Sequence, residues 1–224
     1  MDIKKTIAKM KRKDKVDLTM GASEWDTKQM KEYGIDSIMM SDGPHGLRCQ
    51  KNINNYLSIN ASLPSTCFPT AVTSGCSFNP ELLYEEGKAI GEEALEYDVS
   101  IVLGPGVNIK RNPLCGRNFE YFSEDPIVAG TMGTAWIKGV QSTGVGTSLK
   151  HFACNSQEYK RMNGNSIVDE RAMREIYLKP FEMAVKNSQP STVMCCYNRV
   201  NESRIGCLPP FTSSNPFVVN SGLI

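Results

Sequence analysis

Histidine is the scarcest functional residue here, with two in 224 positions. Together with the lack of any Cys-x-x-Cys pair, this excludes the usual zinc patterns, which need cysteine and histidine at short fixed spacings. The eight cysteines are scattered (Cys49, Cys67, Cys76, Cys115, Cys154, Cys195, Cys196 and Cys207). Several lie in apolar runs, where a free thiol behaves as a small hydrophobe. They read as reduced thiols of a cytoplasmic protein with no metal and no cofactor. No apolar run nears the roughly 20 residues of a membrane-crossing helix. The lysine-rich first 15 residues lack the apolar centre and cleavage pattern of a secretory signal. Charge of one sign is missing too: 25 Lys and Arg face 24 Asp and Glu. Neither nucleic acid nor an anionic membrane is therefore the expected partner.

What is present is a rhythm. Residues 4–20 read as a polar helical lead-in, and 28–33 as a short helix stopped by Gly34. An apolar run over 37–40 leads into a Gly/Pro-rich loop, a strand that delivers Asp42 to a tight turn. By itself that aspartate is as ordinary as any turn aspartate. A second strand is expected over 68–77. Asn79 and Pro80 then open a helix to about Tyr97, with Leu83, Ile90, Ala94 and Tyr97 on one face and Gly87 and Gly91 as a close-packing stripe. A third strand over 100–103 ends in Gly-Pro-Gly, and a helix over 128–141 leads to a fourth strand, 146–152. The helix expected over 169–187 points Met173, Ile176, Phe181 and Ala184 inward and is kinked by Pro180. A fifth strand, 191–197, is nearly all apolar, as a parallel strand covered on both faces should be. The alternation predicts an α/β protein: a (β/α) barrel of the TIM type, incomplete, with about five to six strand–helix units.

The chemistry gathers at predicted strand ends. Lys150 and His151 follow the fourth strand, and the polar loop after them carries Arg161. Two adjacent donors at a strand end need an acidic or hydroxyl-rich partner to be buried. A solvated strand end with a structural histidine accounts for this stretch equally well when taken alone. Asp42 and Arg48, Arg117, and Tyr197 and Asn198 occupy the corresponding loops. If the strands run parallel, all converge on one rim. A carboxylate, fixed cations and a tyrosine suit a neutral polyhydroxylated ligand, each hydroxyl taking charge-assisted hydrogen bonds. A phosphorylated metabolite held by Lys150 and Arg161 is the weaker alternative, because Gly104-Pro105-Gly106 does not open a helix as a phosphate loop would.

Six stretches, in this order, resemble glycoside hydrolase family 3, the family of many β-glucosidases. They are Ser-Asp-Gly-Pro-His-Gly-Leu-Arg (41–48), Leu-Pro-Ser-Thr-Cys-Phe-Pro-Thr (63–70), Gly-Pro-Gly-Val-Asn-Ile (104–109), Gly-Arg-Asn-Phe-Glu-Tyr-Phe-Ser-Glu-Asp-Pro (116–126), Lys-His-Phe (150–152) and Met-Cys-Cys-Tyr-Asn (194–198). The resemblance implies a (β/α) barrel over 1–201 that binds a β-glucoside or oligosaccharide. It implies that Asp42 and Arg48 bind hydroxyls of the sugar whose bond is cleaved, and that Arg117, Lys150, His151 and Arg161 complete that subsite. Met194 would form part of its wall, and Tyr197 would sit beside the nucleophile. The continuation Ala-Cys-Asn after Lys-His-Phe favours the glucosidase branch over the N-acetylglucosaminidase branch.

The sequence departs from the family after residue 201. Glu202 stands where the family has glycine. Residues 205–224 hold no charge, and Phe217-Val218-Val219 is followed by Asn220 and Ser221 rather than by the aspartate nucleophile of a Ser-Asp-Trp motif. Residues 202–224 are accordingly expected to be a divergent tail, and no catalytic residue is assigned. The domain that brings the acid/base is expected to be absent. Glu120, Glu124 and Asp125 read as structural partners of nearby arginines. The expectation is a β-glucosidase-type barrel portion, incomplete and inactive as it stands. The alternative is a catalytically dead sugar-binding or regulatory barrel fragment.

Overall fold

A computed structural model describes residues 2–50 and 62–204. Two short helices, α1 (Ile3–Lys9) and α2 (Arg12–Leu18), lead in and bury no residue. Tyr33 closes a single 3-10 turn, ended by Gly34 in the left-handed region at φ +66°. The first strand, β1, is Met40–Asp42, a few residues later than the apolar run suggests. Asp42 is thus its last residue rather than the start of a loop.

Residues 68–77 are not a strand. Ala71–Gly75 forms a short helix, α3, whose first turn is closed by Ser74 N–H on the Thr70 carbonyl at 2.9 Å. A Cβ on Gly75 would stand 2.7 Å from the Phe122 carbonyl oxygen, so this helix lies directly on backbone. A short apolar run bounded by turn residues has no periodicity with which to tell a strand from a buried helical turn.

Helix α4 (Pro80–Glu96) starts as its sequence dictates. Asn79 Oδ1 accepts from Glu81 N–H at 3.0 Å and Leu82 N–H at 3.3 Å, and Pro80 gives up an N–H that has no partner there anyway. It buries Leu83, Ile90 and Ala94 on the expected face. Strand β2 (Ile101–Leu103) follows, then α5 (Pro126–Ser142), capped by Asp125 in the same manner. Helix α5 is buried nearly all round because it lies between two others. Its contact with α4 is backbone on backbone: a Cβ on Gly87 would fall 2.4 Å from the Trp136 carbonyl oxygen, and one on Gly139 2.0 Å from that of Tyr84.

Strand β3 is Gly146–Phe152 and β4 is the two-residue Asn165–Ser166. The long helix expected over 169–187 is divided. A turn, α6 (Glu170–Ala172), passes through a π-helical stretch, Met173–Tyr177, before α7 (Lys179–Ser188). Pro180 lies in the first turn of α7, where a missing N–H costs nothing, so the break belongs to the π stretch before it. Ile176 is partly exposed, whereas Phe181 and Ala184 are buried.

Strand β5 is Thr192–Cys195, with half-buried and exposed residues alternating. It is not covered on both faces as its apolar sequence suggests, because it is an edge of the described sheet and has one neighbour, β3. Cys195 and Cys76, which lie in the stretches expected to be the fifth and second strands, are exposed; Cys154 is buried. The seven described cysteines are free thiols. Two pairs, β6 (Arg199–Val200) and β7 (Ser203–Arg204), complete a small second sheet with β4. Residues 205–224, most of the stretch set apart in the sequence, lie outside the described residues.

The main sheet has the order β1-β2-β3-β5, all parallel. Neighbours in sequence are neighbours in space and helices fill the crossovers, the arrangement of a (β/α) barrel of which four strands are described. Trp136, Leu83, Ile90, Ile137, Val102 and Leu149 pack between sheet and helices. Among the described residues no helix is long and apolar enough to cross a membrane.

Candidate carbohydrate site

The carboxyl ends of the four strands share one edge. Register pairs Asp42 with Leu103 and Phe152 with Cys195, so Asp42, Lys150 and His151 emerge on the same side. The loop after β2 is stitched to β3 by Lys150 N–H on the Pro105 carbonyl at 3.0 Å and Val107 N–H on the Lys150 carbonyl at 2.9 Å. Buried Asn108 fixes the next residue from both sides: its Oδ1 accepts from His151 N–H at 2.8 Å, and its Nδ2 donates to the His151 carbonyl at 3.0 Å.

Lys150 is buried. Its ammonium lies 3.5 Å from Glu120 Oε2 and 3.8 Å from Asp42 Oδ1. Glu120, equally buried, also pairs with Arg117 Nε. Burial works against the charge on Arg117, but the Glu120 carboxylate outweighs it and raises the guanidinium pKa. A buried lysine is tolerable only with such partners. Glu120 thus takes the structural place expected of it. Asp42, with its side chain 42% exposed, presents its carboxylate to solvent.

His151 is held neutral. Burial, followed by the fields of Arg117, Lys150 and Arg161, drives its pKa down to about 2. Tyr121 Oη lies 3.1 Å from His151 Nδ1 and accepts from Asn155 Nδ2 at 3.0 Å. Burial pushes the Tyr121 phenol well above its ordinary value, so it keeps its proton. Because Asn155 Nδ2 already donates to its oxygen, the hydrogen bond left for that O–H to make is to Nδ1, and we infer this tautomer. The proton of the neutral ring then resides on Nε2, which is left as a donor. Burial also lowers the pKa of His45, next to Glu120 and Lys150, and its ring meets Phe119 edge-on at 5.9 Å.

Arg161 pairs with Glu158 at 3.1 Å and lies over the Tyr197 ring at 5.3 Å. Its field reaches His151, so it belongs to the same rim. Met194 lies on β5, half-buried. Arg48 is adjacent through its backbone, its N–H on the Asp42 carbonyl at 2.9 Å. Its exposed guanidinium makes no ion pair among the described residues. The structure therefore assembles Asp42, Arg117, Lys150, His151, Arg161 and Tyr197 around one edge. Sequence reasoning did not assign Asn108, Tyr121, Asn155 or Glu158 to it. Asn108 and Tyr121 do lie inside quoted motifs, but their contacts come from other loops. Among the described residues no cluster of histidine, cysteine and carboxylates could hold a metal.

Comparison with known proteins points the same way. The family model for the glycosyl hydrolase family 3 N terminal domain matches residues 20–220. The thermostable β-glucosidase B of Acetivibrio thermocellus is 54% identical over 201 residues, which are 90% of this chain and 27% of that protein. An exo-α-(1→6)-L-arabinopyranosidase of Bifidobacterium longum is 49% identical over 84% of this chain and 25% of its own length. Among solved structures, β-glucosidase 3B of Thermotoga neapolitana in complex with α-D-glucose superposes with a TM-score of 0.83 at 40% identity, covering 91% of this chain and 30% of that one. The β-glucosidase of Kluyveromyces marxianus in complex with glucose gives 0.84 at 38% identity, over 91% and 24%. The chain spans about a quarter of the length of the curated relatives it matches.

Proposed function

The chain belongs to glycosyl hydrolase family 3, and on that footing we propose that it carries the sugar-binding edge of a β-glucosidase-type retaining glycoside hydrolase. The observation that supports this most is the joint placement of Asp42, from β1, and Lys150 and neutral His151, from β3, at one edge of the sheet. Asp42 accepts from two neighbouring sugar hydroxyls, while Lys150 and His151 Nε2–H donate to them. Arg117 and Arg161 supply further charged donors, each such bond contributing about 1.5–3 kcal/mol net. A phosphate would gain from the cations but meet Asp42, Glu120 and Glu158 as like charges. Glucose is the first-choice ligand because glucosidases dominate the relatives. The arabinopyranosidase relative makes a pentopyranose the natural competitor.

In the same reading the chain binds sugar without turning it over. Retaining hydrolysis needs two carboxyl groups about 5–5.5 Å apart across the bond. Asp42 and Glu120 already share Lys150, and Glu158 is paired with Arg161. No aspartate or glutamate occurs in residues 205–224. The purified 224-residue chain should therefore bind glucose, observed by ligand NMR, and show no hydrolysis of an aryl β-glucoside. Binding of inorganic phosphate in preference to glucose would reject the reading; hydrolysis with a trapped glycosyl intermediate would reject the non-catalytic part of it.

A further inference from the structure

Glu158 has no assigned part at this edge, yet it touches both arginine-bearing loops. Its Oε2 meets Arg161 Nη1 at 3.1 Å. On its other side, a Cβ placed on Gly116 would lie 3.9 Å from Glu158 Cγ. Its stem therefore passes close to Gly116, one residue before Arg117, and its charge adds to the field that keeps Arg117 protonated. The second oxygen, Oε1, is buried without a hydrogen-bond partner.

Arg161 needs such a hold. Its side chain is 45% exposed, and an arginine left free would have its rotamers frozen by the ligand at a cost to affinity. Two contacts of different kinds restrain it: the Glu158 carboxylate at one edge of the guanidinium and the Tyr197 ring beneath its plane. The geometry points to Glu158 as a positioning residue, which sets Arg161 and steadies Arg117 in the orientation that receives sugar hydroxyls. It acts through the arginines and does not itself touch the ligand. This inference rests on the proposed reading of the edge as a sugar subsite.

A partly exposed ion pair adds little to stability, so positioning and folding separate cleanly in Glu158→Gln. In the ligand-free chain, the heteronuclear NOE at Arg161 Nε should fall in this variant. That of Arg171, paired with Glu175 on the surface, should stay as in wild type, and the unfolding midpoint should barely move. Glucose affinity should fall about tenfold, and Glu158→Asp should recover part of both effects. An Arg161 NOE unchanged by Glu158→Gln overturns the inference, as does unchanged glucose affinity in a wild-type chain that binds. If wild-type chain binds no glucose, the subsite reading fails, and the Arg161 signal still decides whether Glu158 holds the arginine.

Discussion

Glu120 lies 3.5 Å from Lys150 with both side chains almost wholly buried, whereas Asp42, on the same ammonium at 3.8 Å, is open to solvent. One cation therefore has a buried carboxylate behind it and a solvent-facing one in front. Glu120→Gln leaves Lys150 and Arg117 short of a buried counter-charge, and should cost about 3–5 kcal/mol in urea unfolding. Asp42→Asn should change stability by under about 1 kcal/mol while weakening glucose binding at least tenfold. Equal stability losses in the two variants would remove the distinction.

The neutral state of His151 links stability to pH. The folded ring takes a proton only near about pH 2, and the unfolded ring near 6.5. The unfolded chain thus binds more protons in acid, and the contribution present above about 6.5 drains away as pH falls. Below that point His151 alone should remove up to about 1.4 kcal/mol per pH unit. His45, shifted in the same direction by burial, adds to the slope. Chemical unfolding of wild type and His151→Asn at pH 5 and 6 measures this directly. Parallel pH profiles for the two would show that His151 is charged in the fold.

The packing of α4 on α5 admits no side chain at Gly139, where a Cβ would stand 2.0 Å from the Tyr84 carbonyl oxygen. Neither partner is a flexible side-chain end, so Gly139→Ala must push the helices apart. A loss of about 1–3 kcal/mol or more is expected, read as a lowered melting temperature by circular dichroism. Gly144→Ala is the control: nothing lies within 4 Å of its Cβ position, and only its φ of +94° disfavours the substitution. A milder effect at Gly139 than at Gly144 would contradict the close approach.

How much of this was legible depended on whether the signal was local. Asn79-Pro80 announced α4 because the cap is made within three residues, and the Gly87 and Gly91 stripe announced a close neighbour without naming it. Strand β3 was legible because an apolar run long enough for a strand ended in two charged donors. The α3 turn was not, since small residues packed on the Phe122 backbone resemble any short apolar run. Nor was the break in the helix before α7, where the π stretch shifts which residues face inward. At the site, Asp42, Lys150 and His151 could be expected together from parallel strands alone. Glu120 was legible as an arginine partner three residues from Arg117, but its reach to Lys150 was not, nor were the contacts of Tyr121 with His151 and Asn155, because those partners arrive from a different loop and leave no spacing to read.

Tyr121 offers the sharpest test of how the site is set. Its hydroxyl accepts from Asn155 and lies 3.1 Å from His151 Nδ1, to which the inferred tautomer has it donate, inside a fully buried environment. Tyr121→Phe keeps the ring and its packing but orphans two buried polar groups, which costs about 1–3 kcal/mol. The larger consequence falls on the histidine. With no donor facing Nδ1, nothing holds its proton on Nε2, and the ring is free to adopt the other tautomer. In that tautomer Nε2 is an acceptor, and it no longer matches the proposed arrangement, in which the sugar hydroxyl gives its proton to Asp42 and needs a donor beside Lys150. Nitrogen-15 spectra of the histidine ring should show Nδ1 as a bare acceptor in wild type and as partly protonated in Tyr121→Phe, with weaker glucose binding in parallel. A ring whose tautomer is the same in both proteins would show that some other group, and not this phenol, orients His151.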